Sequence, residues 1–358
     1  MYTAEFPGIN TFLRDTCRLL LKEGVRRETR GKVCYELPEP YMFKITNPTS
    51  RLITISERRN SLVLPYAESL WLASGRNDMA FARSYCSTLN DFSDDELFMR
   101  GGYGPRLRHF NGSNSDYKIN NHFITQGQDI DQFLFVSKCF ERDPETRQAV
   151  INIGDPTKDC FENDNTTIKQ TKDFPCTRML HFIKDSSENK LNLIVTMRSN
   201  DLIWGASGVN IFNFTFMQEY FASILGLKLG SYYHTAHNMH FYEEKKDLVE
   251  RIAAIENVKE EPFEYKKTFS SLNEFDALLR ILSVEEEKMR QKKHDYHYYE
   301  FQDDFFRDWY NVLYYRHTKK KVKFINPILD ERIEELKNRK DQETLPFQIN
   351  NTASTGNG

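Results

Sequence analysis

The sequence predicts an α+β protein, and three observations lead there. Short runs of alternating or wholly apolar residues at 42–45, 180–182, 191–197 and 232–242 read as strands. Apolar residues at helical spacing in 8–25, and the long apolar block 211–225, read as helices, the second one buried all round. After about residue 243 the composition shifts toward mixed charges and aromatics, the sign of further helices packed on the main body.

In chain order, residues 8–25 put Ile9, Phe12, Leu13, Cys17, Leu20 and Leu21 on one helical face. The charged run 26–31 ends in Gly31 and reads as a loop. Residues 42–45 and 51–55 are expected as strands around a proline-containing turn, and 65–89 as helix. The stretch 148–156 ends a buried strand in a turn at Asp155-Pro156, and 180–182 pairs with 191–197 through the polar turn 185–189. Residues 272–315 are expected to be helical, 328–342 are charged and helix-prone, and 350–358 hold nothing to bury and are expected to be disordered.

The 358 residues are 39% hydrophobic and 13% aromatic, which excludes global disorder. The 49 basic and 52 acidic residues nearly cancel, so no dominant polyanion-binding surface and no nucleic-acid partner are expected. The basic run Arg316–Lys323 reads as the solvated end of a helix. No uncharged apolar run approaches the roughly 18 residues of a membrane span, and no secretory leader is visible at the start. The six cysteines show no paired zinc or redox spacing, so a reducing, cytoplasmic setting without a metal site is expected.

The chemistry-bearing blocks lie at Thr29-Arg30-Gly31, Glu68-Ser69-Leu70-Trp71, Gly102-Tyr103-Gly104, Asp143-Pro144-Glu145-Thr146-Arg147, Pro175-Cys176, Met197-Arg198-Ser199-Asn200-Asp201, Val209-Asn210 and His240-Phe241-Tyr242. In this order, over roughly residues 26–243, they resemble the thymidylate synthase and pyrimidine nucleotide hydroxymethylase superfamily. The resemblance implies a bent mixed sheet packed against helices, and a homodimer that shares its active sites through the sheet face. It covers a catalytic domain set at 1–245; by composition, a charged and aromatic helical extension at 246–345 and a tail at 346–358 follow.

By the same resemblance, Cys176 attacks carbon-6 of a pyrimidine nucleotide monophosphate, which makes carbon-5 nucleophilic. Arg198, Ser199 and Arg30 bind its phosphate, and Arg147 reaches the phosphate of the neighbouring subunit. Glu68 and Tyr103 handle protons, while His240 and Tyr242, alternating on a strand, hold the sugar hydroxyl. Asn210 reads the base: an amide suits uracil, whereas a carboxylate there would suit cytosine. Asp201 and Trp71 are assigned to the cofactor, 5,10-methylenetetrahydrofolate.

The reaction implied first is thymidylate synthase, dUMP to dTMP. The alternative is hydroxymethylation of dUMP, dCMP or CMP, in which water captures the transferred carbon. Several positions depart from the family pattern. Gln148, Thr177 and Met197 replace its usual Arg, His and Gln, and the gap from Gly205 to Asn210 is five residues instead of four. The long extension replaces the usual short ending, so methylene transfer is better supported than the final reduction.

Overall fold

In the computed structural model, residues 1–29, 31–120, 129–292 and 296–338 are described. The strands are β1 (Tyr2–Phe6), β2 (Val25–Thr29), β3 (Lys32–Glu36), β4 (Tyr41–Ile45), β5 (Val150–Asn152), β6 (Thr177–Asp185), β7 (Lys190–Met197), β8 (Asn200–Asp201), β9 (Lys228–Ala236) and β10 (Met239–Tyr242). The helices are α1 (Ile9–Glu23), α2 (Val63–Ala73), α3 (Met79–Ala82), α4 (Tyr103–Arg108), α5 (Gln132–Arg142), α6 (Pro156–Asp159), α7 (Ile211–Ile224), α8 (Lys246–Ala253), α9 (Leu272–Arg290), α10 (Asp304–Thr318) and α11 (Pro327–Asn338). A π-helical stretch, Leu202–Asn210, precedes α7.

Two sheets result, in an α+β arrangement. The larger runs β1-β4-β9-β7-β6-β5, and the smaller β2-β3-β10-β8. The larger sheet is mixed: β1 lies parallel to β4 and β7 to β9, and the other pairs are antiparallel. Period-2 burial sets its two faces. Leu180, Phe182, Leu193, Val195, Tyr232 and His234 are fully buried on one face. On the other, Met179, His181, Ile183, Ile194 and Tyr233 stay half-exposed. The buried face rests on α7, whose residues are nearly all buried, as the apolar block required.

A third layer covers α7 and α2 from the other side. Phe305 and Trp309 of α10 pack on Phe216 with ring centroids 4.3 and 4.9 Å away. The Trp309 indole N–H donates to the Tyr66 carbonyl of α2 at 2.8 Å. The segment between α8 and α9 returns along α1, where Glu260 accepts the Thr11 N–H at 2.6 Å and caps that helix's first turn. Among the described residues no helix is long and apolar enough to cross a membrane.

Four expectations need correction. Residues 51–55 form no strand, because their backbone groups bond to a side chain instead of a ladder. Asn10 donates to the Leu52 carbonyl at 3.3 Å and accepts the Thr54 N–H at 2.9 Å, while buried Arg51 pairs with Glu219. The charged run 26–29 is the outer strand β2, exposed at every position, so it carries no apolar alternation to read. The helix expected over 65–89 stops at Ala73, and Asp78 caps a new short helix by accepting the Phe81 N–H. Residues 232–242 divide between β9 and β10 in different sheets. The tail at 346–358 lies outside the described residues.

Candidate active site

Thr177 pairs with Met197 at the ends of β6 and β7, so Cys176 and Arg198 emerge side by side. The Arg198 N–H donates to the Cys176 carbonyl at 2.9 Å. Its guanidinium donates to the carbonyls of Pro175 at 3.0 Å and Phe174 at 2.8 Å, and lies 4.8 Å over the Phe174 ring. This holds Nη2 at 3.6 Å from Cys176 Sγ. A fixed cation at that distance stabilises a thiolate, and Cys176 is half-exposed where four of the other five cysteines are buried.

Tyr103 stands beside this pair. Its hydroxyl accepts the Thr177 N–H at 3.1 Å, and burial together with the Cys176 sulfur pushes its pKa well up. Close packing at Gly104 allows this placement: a Cβ there would sit 2.2 Å from the Arg76 carbonyl oxygen. The Gly101 N–H donates to Asp173 at 2.7 Å, and burial still pushes that carboxyl up to about 6. Below, Arg106 and Asp159 form a fully buried bidentate pair at 2.8 and 2.9 Å that anchors α4.

The chain leaving Arg198 meets β10. Asp201 pairs in register with His240, and the Asn200 N–H donates to the Asn238 carbonyl. The Asn238 side chain joins three groups: its Oδ1 accepts from Ser199 at 3.4 Å and faces His240 Nδ1 at 2.8 Å, and its Nδ2 donates to Glu36 at 2.6 Å. His240 and Tyr242 lie on one face with ring centroids 5.2 Å apart. Burial lowers the His240 pKa, against the pull of Asp201 and Glu36.

Asp201 then caps the π-helical stretch by accepting the N–H groups of Ile203 at 2.6 Å and Trp204 at 3.1 Å through one oxygen. The extra residue between Gly205 and Asn210 is absorbed here, since a π turn holds one more residue than an α turn. Asn210 stays at the site, and its Nδ2 donates to Asn200 Oδ1 at 3.1 Å. One turn on, Asn213 Oδ1 accepts from Ser69 of α2 at 2.9 Å, and its amide lies beside Glu68. Glu68 is partly exposed among apolar neighbours. Desolvation pushes its carboxyl up to about 7, with the Asn213 hydrogen bond pulling the other way.

Cys176, Tyr103, Arg198, Ser199, Asp201, Asn210, His240 and Tyr242 are thus tied into one set of contacts, with Glu68 reached through Asn213. Arg147 is not among them. Its loop is tied to Lys184 through Glu145, eight residues along β6 from Cys176, which is about 25 Å of strand. Arg147 is exposed there. Trp71 is buried in α2, and its indole N–H has no partner among the described residues. Arg30 lies outside the described residues. Asn200, Asn213, Asn238 and half-exposed Trp204 were not singled out from the sequence. Asn213 is one turn beyond Asn210 and Asn238 two residues before His240, the only signals that pointed to them. Among the described residues no group of His, Cys, Asp and Glu is placed to hold a metal ion.

Comparison with known proteins places this site in context. The chain is similar to the deoxyuridylate hydroxymethyltransferase of Bacillus phage SP01, with 36% identity over 68% of this chain and 59% of that protein. It is similar to that of Pseudomonas phage M6 at 31% over 64% and 59%. It is also similar to the thymidylate synthase of Haloferax volcanii at 25% over 52% of each chain. The chain thus matches less than two thirds of the length of these relatives. The family model of thymidylate synthase matches residues 11–291, and with the cysteine, arginine and asparagine constellation inside that span, the chain belongs to the thymidylate synthase family.

Proposed function

We propose that this chain transfers a one-carbon unit from a reduced folate to carbon-5 of deoxyuridylate and releases the 5-hydroxymethyl nucleotide. The observation that carries the reading is the sulfur of Cys176 held 3.6 Å from the Arg198 guanidinium, beside Tyr103 and open to the site. The phage hydroxymethyltransferases at 36% and 31% identity, against 25% for the synthase, favour hydroxymethyl over methyl as the product. That reverses the order in which the sequence alone ranked the two.

The residues present fit a folate. Asp201 uses one carboxylate oxygen as a helix cap and leaves the other for ring N–H donors, and the half-exposed Trp204 indole beside it suits a flat heteroaromatic ring. Bound there, methylenetetrahydrofolate supplies carbon at the oxidation level of formaldehyde. Cys176 bonds to carbon-6 of the pyrimidine and moves electron density to carbon-5, where the new carbon attaches. Tyr103 stands next to the sulfur to receive the carbon-5 proton into its hydrogen-bond network. Glu68, with its carboxyl near neutrality, exchanges protons with water at the base edge. Water then adds its hydroxyl to the exocyclic carbon as the Cys176 bond breaks. The balance is deoxyuridylate, methylenetetrahydrofolate and water giving hydroxymethyldeoxyuridylate and tetrahydrofolate.

Arg198, Ser199 and Arg30 hold the phosphate, and His240 with Tyr242 hold the sugar hydroxyl. The half-exposed face of the larger sheet and the remote, exposed Arg147 support a homodimer in which Arg147 reaches the partner's phosphate. A cytoplasmic setting is in keeping with six cysteines that form no disulfide. Ultraviolet absorbance during turnover tests the product: hydroxymethyl transfer leaves tetrahydrofolate, whereas a growing dihydrofolate signal would mean that hydride, not water, completes the reaction.

A further inference from the structure

Behind Asn210 runs a buried chain of polar side chains that the reaction above does not use. Asn210 Nδ2 donates to Asn200 Oδ1 at 3.1 Å, Asn200 Nδ2 lies 3.1 Å from His234 Nε2, and His234 Nδ1 lies 2.8 Å from the Tyr232 hydroxyl. Asn200 is 3% exposed, and His234 and Tyr232 are fully buried. The His234 ring is stacked on Phe43, with centroids 4.8 Å apart and planes 11° apart. Gly205 leaves room for the two amides to meet: a Cβ there would lie 2.5 Å from Asn200 Oδ1 and 3.1 Å from Asn210 Nδ2.

We propose that Asn200 and His234 are positioning residues that fix which end of the Asn210 amide faces the base, and that they thereby set the choice of uracil over cytosine. The inference rests on the reading that a pyrimidine base lies against Asn210.

Uracil presents a ring N–H and a carbonyl along the edge that cytosine fills with a bare ring nitrogen and an amino group. An amide satisfies either edge, but only in opposite orientations. With Nδ2 tied to Asn200, Asn210 offers Oδ1 to the uracil N–H. Its second N–H rests against Met197 Sδ at 3.7 Å. A thioether is a weak acceptor, so this proton is easily given up to the uracil carbonyl.

Turning the amide for cytosine would bring its oxygen against Asn200 Oδ1. Asn200 would have to turn as well, and its oxygen would then face His234 Nε2, which requires the other ring tautomer. Burial keeps His234 neutral at ordinary pH, with its pKa lowered to about 3, so one proton serves two nitrogens. Each link can reverse only with the next. A solvent-exposed Asn210 would face no such linkage.

The test is equilibrium binding of dUMP and dCMP, without folate, to wild type and to Asn200→Ala, His234→Leu and Asn200→Asp. The first two variants break the chain and should lower the dUMP-to-dCMP affinity ratio about ten-fold or more, mainly by losing dUMP. Asn200→Asp keeps an acceptor for Asn210 Nδ2 and should retain most of the preference. Circular dichroism identifies any variant that fails to fold, and the Asp and Ala variants at one position then provide the comparison. An unchanged ratio in folded Asn200→Ala or His234→Leu, or an equal loss of both nucleotides, would overturn the proposal. Wild-type preference for dCMP would instead refute uracil as substrate, and failure of both nucleotides to bind wild type would refute the site reading itself.

Discussion

Cys176 is the residue on which the proposed chemistry turns. Its sulfur faces a guanidinium that is itself held by two backbone carbonyls. Cys176→Ser should remove nearly all turnover, because a hydroxyl beside the same arginine stays protonated. Nucleotide binding should survive, and a 5-fluoropyrimidine nucleotide with methylenetetrahydrofolate should trap wild type at Cys176 and at no other cysteine. Arg198→Ala should weaken nucleotide binding by about 2–4 kcal/mol, read as lost preference for nucleotide over nucleoside by calorimetry. Glu68 gives a pH signature. Its folded pKa of about 7 exceeds the ordinary 4.5, so the folded state holds a proton that the unfolded chain has released. Its contribution to stability is therefore present below about 4.5 and lost as pH rises through about 7. The midpoint of thermal unfolding of Glu68→Gln should fall less over that window than that of wild type, and parallel curves would exclude the shift. The motif residues were legible in the sequence only through the resemblance that the blocks, taken together in order, bear to a known family. Asn200, Asn213 and Asn238 were not, because their partners lie on other elements and asparagine has no spacing signature.

At the scale of the element, the strand ends and the π-helical stretch place these side chains. The β6–β7 pairing sets Cys176 beside Arg198; the strand pair was expected from two apolar runs around a polar turn, but the meeting of the two residues only from the family resemblance. The π turns did not follow, because one inserted residue in Gly205–Asn210 reads equally well as a loop. Gly205 makes a direct test. Its φ suits any residue, but an alanine methyl would intrude between Asn200 and Asn210. Gly205→Ala should weaken dUMP binding about ten-fold while leaving the fold intact by circular dichroism, and unchanged binding would show that this contact does not order the base pocket. Strand β2 and the stretch 51–55 were misread for opposite reasons: β2 is exposed throughout, and the buried 51–55 backbone is held by Asn10.

On the scale of the whole molecule, the extension after α8 is built into the body. Trp309 is fully buried and bonded to the backbone of the helix that carries Glu68. Trp309→Ala should destabilise the protein by about 3–5 kcal/mol in denaturant titration, and a change under 1 kcal/mol would show the third layer to be loosely held. The aromatic content of 272–315 foretold burial there, though not the partner helix. Assembly has its own test: mixing Cys176→Ala and Arg147→Ala subunits should recover activity that neither has alone, because some mixed dimers keep one intact shared site. An active monomer by sedimentation would contradict that assembly. Mass spectrometry of the nucleotide formed from dUMP and methylenetetrahydrofolate decides whether the product is hydroxymethylated. A product one oxygen heavier than thymidylate is expected; thymidylate itself, or dCMP modified in preference to dUMP, would overturn the proposed reaction.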